Sequence, residues 1–485
     1  MQRFIKRIST VAAVLAGTGA ACAFSLQGPI TPWMTPRIGY QDILPNALYG
    51  GPMSIGEEYR WNVPEVFYGF TPEFINFFGA HGMAQVDEAF QILNSVPPAS
   101  RLSIDSYPLN SQRMNFRANG LGLIDLKSFV LGVTMEQLGL SDPARYVFTL
   151  RNRWTTTGPD TTNYFIIRRN YDPATWQPTS YINGNLWTYV LVADIDPTHS
   201  WVFNEPVDPG AYAGLLNSPV SAWQTMLLSG GFWTSLTRDD VGGLRYVYRP
   251  DNYQIEGMAA SITGTGGGPW GQPSGGTNVV ATNSFVNTGV RGGIDKVRFR
   301  RVDFDSLLGF YVPFTNRFSD SIITNSTRIP QFLERGVAAP DILFHASDLQ
   351  GGDATLGLFL FGTAFQGWAF GNSATNAAGT NANFGPGVIG PGVGGPAFLL
   401  TLQSVGEVLV NTIPFDNQDE VTALRALFFG SFDGTTNDPV VYPVGIDIRE
   451  VEALVLSSAR IGNPWGQPPG SIITNAPPGG GATVP

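Results

Sequence analysis

The chain has 485 residues, enough for two or three domains with cores of their own, so its size calls for no membrane burial. A formal charge of −10 with only three lysines (Lys6, Lys127, Lys296) argues against a nucleic-acid partner. Cys22 is the single cysteine, which excludes an internal disulfide framework.

In chain order, residues 1–23 read as an export leader. Arg3, Lys6 and Arg7 form a basic start, residues 8–20 are mostly apolar, and Ala21-Cys22-Ala23 is a small-residue cleavage site. Cleavage after Ala23 starts the mature chain near Phe24, removes the cysteine and moves the formal charge to about −13. Lipidation of Cys22 is the alternative, and Gly19, where a lipobox carries an aliphatic residue, argues against it. Beyond the leader no apolar run reaches the length of a membrane helix. The expected location is therefore the bacterial exterior, secreted or on the cell surface, with the periplasm as the alternative.

Residues 24–55 are rich in Pro and Gly and read as an extended arm. Residues 56–255 are mixed. "EVFYGF" has strand composition, and "GMAQVDEAFQILNSV" sets Met83, Val86, Phe90 and Leu93 at helical spacing. "LIDLKSFVLGVTMEQLGL" predicts a helix with Leu126, Phe129, Val130 and Val133 on one face, ended by a left-handed turn at Gly139. "TRDDVGGLRYVY" predicts a short helix capped by Thr237, with Asp239 and Asp240 in its first turn.

Residues 256–276 read as a Gly/Pro linker. Residues 277–470 alternate in the β manner through "DKVRFRRVDFDSL", "AFLLTLQSV", "GEVLVNTIPF" and "DPVVYPVGIDI", with one helix expected in "NQDEVTALRALFF". This predicts a β-sandwich-like domain carrying a Gly/Ala/Asn-rich insertion at about 371–396, followed by a disordered tail at 471–485. "PWGQP" occurs at 269 and again at 464, so Trp270 and Trp465 are either docked aromatic anchors or similar turns closing one domain.

Three landmarks carry a family resemblance: "WNVPEVFYGFTPEF…VDEAFQILNSV", then "GVTMEQLGLSD", then "TMLLSGGFWTSLTRDDVGGLRYVY". On these, residues 60–253 resemble the matrixin-like branch of the metzincin metallopeptidases. That implies an α+β metzincin-like N-terminal domain, here followed by the mostly-β sandwich-like domain. The family's H-E-x-x-H-x-x-G-x-x-H/D motif places two histidines one helical turn apart on zinc, a glutamate on the metal-bound water and a third ligand after a glycine turn. Gly139 matches the turn glycine, Asp142 the third ligand and Met226 the turn methionine. Gly132, Val133 and Glu136 replace the first histidine, the general base and the second histidine. The resemblance thus implies a pseudopeptidase. The three histidines, His81, His199 and His345, are scattered and suggest no rescue of the metal.

The remaining chemistry is thin. Asp194 with Asp196 and Asp303 with Asp305 are weak calcium candidates that also read as solvated strand-edge acids, and calcium is the one cofactor they suggest. Trp154, Trp176, Trp187, Trp201 and Trp233 are conceivable glycan contacts or core residues. The expected function is a non-catalytic structural or interaction protein of the cell exterior, acting by self-association or with a protein partner. The alternatives are a secreted hydrolase with a carboxylate-based site and a carbohydrate-binding protein.

Overall fold

Strands covered on both faces carry near-continuous apolar runs, and EVFYGF, DILFHA and AFLLTL have that character. The computed structural model describes residues 22–29, 33–35, 38, 49–50, 54–155, 162–193, 200–208, 217–259, 261–265, 286–348, 361–365, 374–375, 381–382, 388–389, 396–411 and 422–461. In it the three runs lie side by side in an eight-stranded sheet. Its strands are β1 (Glu65–Phe70), β2 (Leu123–Asp125), β3 (Arg298–Arg301), β4 (Ile342–Asp348), β5 (Phe361–Phe365), β6 (Phe398–Asn411), β7 (Thr422–Ser431) and β8 (Val440–Val441). The path runs β3-β1-β4-β6-β7-β8, with β5 beside β6 and β2 beside the end of β7. The β3–β1, β1–β4, β4–β6 and β2–β7 pairs are parallel, and β6–β7 is antiparallel. With 26% helix and 38% strand the molecule is of mixed α/β class.

Six of these strands come from the half expected to form a separate sandwich, yet β1 lies between two of them. The expected boundary near residue 256 therefore runs through one sheet. A second, five-stranded antiparallel sheet also crosses it. This sheet orders Gln254–Glu256, Gly289–Arg291, Phe314–Thr324, Thr327–Val337 and Ile262–Gly264, so part of the expected linker is strand. Alternation identifies a strand but not its partner, and parallel partners need a long crossover.

The helices include α1 (Pro72–Ser95), α2 (Leu126–Gln137), α3 (Pro143–Tyr146), α4 (Trp223–Met226), α5 (Arg238–Tyr248) and α6 (Ile448–Ile461). α1 packs on the sheet through a ladder of rings, with Phe74 stacked on Phe70 at 4.9 Å and Phe90 against Phe299 at 4.8 Å. Its predicted face holds, since Val86, Phe90 and Leu93 are buried and Met83 packs against the core. The helix begins earlier than predicted because Thr71 caps it, accepting from Phe74 N.

Other expectations change. "NQDEVTALRALFF" supplies β7 rather than a helix. Phe428 and Phe429 are both buried although consecutive, which suits a strand covered on two faces. The C-terminal helix is instead α6, packed on β7. "DPVVYPVGIDI" yields only the two-residue β8, since Pro443 has no N–H for a ladder. "AFLLTLQSV" and "GEVLVNTIPF" share one long strand, β6. At the start, Phe24 bridges to Tyr171 and Ser25–Leu26 pairs with Leu140–Ser141. Residues 1–21, Trp270, Trp465 and the tail 471–485 lie outside the described residues, as does most of the 371–396 insertion. Cys22 and Ala23, the end of the expected leader, are buried.

A buried ion pair joins the two sheets, and two more lie nearby. Arg335 grips both oxygens of Asp341 at 2.8 Å each and donates to Glu65 O at 2.9 Å, while Phe67 N donates to Asp341 Oδ2 at 2.8 Å. Arg60 pairs with Glu256 at 2.5 Å, and Arg291 pairs with Asp320 at 2.8 Å while donating to Glu256 O. Asp341→Asn strands a buried guanidinium and is expected to lower the unfolding free energy in urea by about 3–5 kcal/mol, with Arg335→Met/Asp341→Leu recovering most of it. A loss under about 1 kcal/mol for the single variant would mean that the pair does not tie the sheets.

Candidate functional site

The α2 helix is set by its cap. Asp125, at the end of β2, accepts from Ser128 N at 2.9 Å and Ser128 Oγ at 2.6 Å, and Ser128 Oγ accepts from Trp233 N. Every α2 residue except Lys127 is buried, so the helix is an internal strut rather than an amphipathic cover. It ends at Gly139, whose φ is +94°. A Cβ there would lie 2.0 Å from Tyr59 O, so both conformation and space demand glycine.

Against this helix lies the short α4, held by α5. Asp240 caps α5 with Thr237 and also accepts from Val220 N and Ser221 N at 3.0 and 2.9 Å, which fixes the turn leading into α4. The neighbouring Asp239 accepts from Ala23 N at 2.8 Å and Asn183 N at 2.7 Å. The first-turn acids that the sequence offers as helix stabilisers thus also anchor three other segments.

Three consecutive α4 residues meet three motif positions. Trp223 lies on Gly132, where an added Cβ would fall 2.3 Å from the Trp223 Cβ. Its ring meets Phe129 edge-on at 5.2 Å. Gln224 Nε2 donates to Glu136 Oε1 at 2.5 Å, and Thr225 Oγ1 donates to Asp142 Oδ2 at 2.8 Å. Asp142 Oδ1 caps α3, accepting from Ala144 N and Arg145 N. Val133 is fully buried. Met226 packs against the cluster of Ala144, Val147 and Trp187.

The electrostatics follow from burial. Glu136 is pushed up to about 8, first by desolvation and then by the charge of Asp142, against the opposing help of Trp223, Arg145 and Gln224. Asp142 is also raised by desolvation, opposed by the Arg145 and Ala144 amides and by Thr225. Glu136 therefore holds its proton at neutral pH. Gln224 and Thr225 are exposed, so this acid pair lies just beneath the surface.

Zinc does not fit here. Two carboxyls, each already bonded to α4, are too few ligands, and an indole fills the space beside the first ligand position. His345 Nδ1 lies 3.0 Å from Thr71 Oγ1, His81 Nδ1 lies 2.7 Å from Tyr442 Oη, and His199 is outside the described residues. No group of three or more His, Cys, Asp or Glu side chains gathers among the described residues.

The other candidates separate. Asp194 and Asp196 lie outside the described residues. Asp303 accepts from Arg301 at 2.7 Å, and Asp305 accepts from Leu307 N and Leu308 N in a turn, so the structure gives each its own partner rather than a shared ligand. Trp187 and Trp233 are core residues. Trp176 is held under the Arg249 guanidinium, 3.9 Å from its ring, Trp201 is half-buried, and Trp154 stands exposed on Phe148–Thr155. Sequence reasoning missed Trp223, Gln224 and Thr225, whose one signal was their place before the candidate turn methionine. Comparison with family models, curated proteins and solved structures finds no match for this chain.

Burial raises the folded-state pKa of Glu136 above its ordinary 4.5, so the native state carries the extra proton. Its contribution to stability falls as pH rises through the window from about 4.5 to about 8, by about 1.4 kcal/mol per pH unit. Glu136→Gln keeps an acceptor for Gln224 and removes the titration. The stability of this variant relative to wild type is expected to climb across that window in urea unfolding and then level off, and a flat difference would contradict the assignment.

Proposed function

We propose that the chain is an exported, non-catalytic interaction protein built on a metzincin-like scaffold whose zinc face has become packing surface. One observation carries this reading: the Trp223 side chain occupies the space over Gly132 that a ligand side chain would need. Val133, at the base position, has no group to move a proton, and Glu136 is engaged by Gln224. The order of β1, α1, α2, the Gly139 turn, α4 and α5 along the chain follows the three landmarks and supports the metzincin-like part. The later strands extend the β1 sheet instead of standing as a sandwich of their own.

Protein contact is supported by two hairpins, Phe148–Thr155 with Thr162–Arg168 and Asn185–Ala193 with Ser200–Pro206. They leave Trp154, Phe165, Tyr189, Val190 and Phe203 substantially exposed, with Val190 and Phe203 side by side on one face, and adjacent exposed apolar residues suit a contact surface. The competing reading, a carboxylate-based hydrolase, has one observation in its favour, the protonated Glu136 beside Asp142. Both carboxyls, however, are buried and bonded to α4.

Elemental analysis of the mature protein, purified without chelators, is expected to find no stoichiometric zinc, and peptide substrates are expected to remain intact. Reinstating Gly132→His, Val133→Glu and Glu136→His together should destabilise the fold without recruiting zinc. Adding Trp223→Ala should recover only the part of the lost stability that comes from the clash at position 132. One equivalent of zinc in the unaltered protein would sink the reading.

A further inference from the structure

The α1 helix is interrupted at Gly79, where φ is +63° and ψ −169°. The segment after β8 crosses the break: Val444 N donates to Phe77 O at 2.8 Å, and a Cβ on Gly79 would fall 2.8 Å from Val444 Cγ2. Between the two chain segments lies a cavity of about 320 Å³, within the range of small-molecule sites. Its walls include Phe78, Val440, Val444 and Ile448. Val440, Val444 and His81 are exposed, so it opens to solvent along that whole side.

The cavity has a polar wall as well as an apolar one. His81 Nδ1 lies 2.7 Å from Tyr442 Oη, which lies 2.7 Å from Ser431 Oγ. Tyr442 is fully buried and Ser431 nearly so, so the imidazole is held from behind by a fixed chain of hydroxyls. When Tyr442 donates to Nδ1, Ser431 donates to Tyr442, and the proton of neutral His81 sits on Nε2, available to an acceptor. No carboxylate lines the cavity. The acids nearest in sequence are engaged, Asp438 with Arg117 and Asp447 with Arg449 N.

We propose that this cavity binds a small amphipathic carboxylate, its hydrocarbon body against Phe78, Val440, Val444 and Ile448 and its head accepting from His81. The site is separate from the α2–α4 contact and stands whether or not the metzincin-like reading does.

Octanoate and octanol, titrated calorimetrically into the full mature chain, test the idea. Octanoate should bind saturably at one site per chain, and octanol at least about tenfold more weakly. Val440→Trp, which fills the cavity, should abolish binding of both. His81→Phe, at an exposed position, should weaken octanoate by about tenfold or more while leaving octanol unchanged. Near-ultraviolet circular dichroism checks that each variant is folded, and if Val440→Trp is not, His81→Phe decides. No saturable binding of octanoate, binding undiminished by Val440→Trp in a folded protein, or octanoate affinity unchanged by His81→Phe would each overturn the proposal.

Discussion

The Arg335–Asp341 pair is the contact on which the arrangement of the two sheets depends. Asp341 is the residue before β4, and its carboxylate receives Phe67 N from β1 as well as the guanidinium. Arg335 in turn reaches Glu65 O, so one fully buried pair fixes the register between neighbouring parallel strands and the long hairpin that packs on them. Buried charges are costly unless paired and hydrogen-bonded, and the bidentate contact made through both terminal nitrogens of Arg335 leaves little freedom for either sheet to slide. The Arg291–Asp320 pair lies within the second sheet, and Arg60–Glu256 ties that sheet to the Arg60–Trp61 strand.

Within that frame the α2 helix acquires its unusual setting. With β2 delivering it from the sheet and α4 closing over it, α2 has no solvent face to speak of, and Ser128, Thr134 and Glu136 are hydrogen-bonded within the protein. Asp125, raised by burial to about 6, and Glu136, at about 8, both belong to this interior. Such acids are usually signs of chemistry. Here they serve as a cap and as a tie between segments, which is the other common reason for a perturbed carboxyl.

What could be read from the sequence was local. The α1 periodicity, the existence of α2, the Gly139 turn and the Thr237 cap all depend on residues within a few positions of one another and reappear in the structure, with α2 buried on every side rather than on one face. What could not be read was pairing at a distance. Nothing in "EVFYGF" says that its neighbours are Arg298–Arg301 and Ile342–Asp348, because parallel partners are selected by the whole core. The same blindness hid Trp223 from Gly132 and Tyr442 from His81. The exchange of helix for strand at "NQDEVTALRALFF" has a different cause: short apolar runs fit either period, and β6 and β2 settle it.

The contact between Gly132 and Trp223 also works as a lock. A first side chain at position 132 meets a filled site, because the Trp223 side chain already occupies that space. Any side chain at 132 must displace Trp223, and trimming Trp223 first opens a hole beside Phe129. Every single-residue route to a side chain there therefore crosses a less stable protein. Glycine at 132 is thus held in place by packing against one ring.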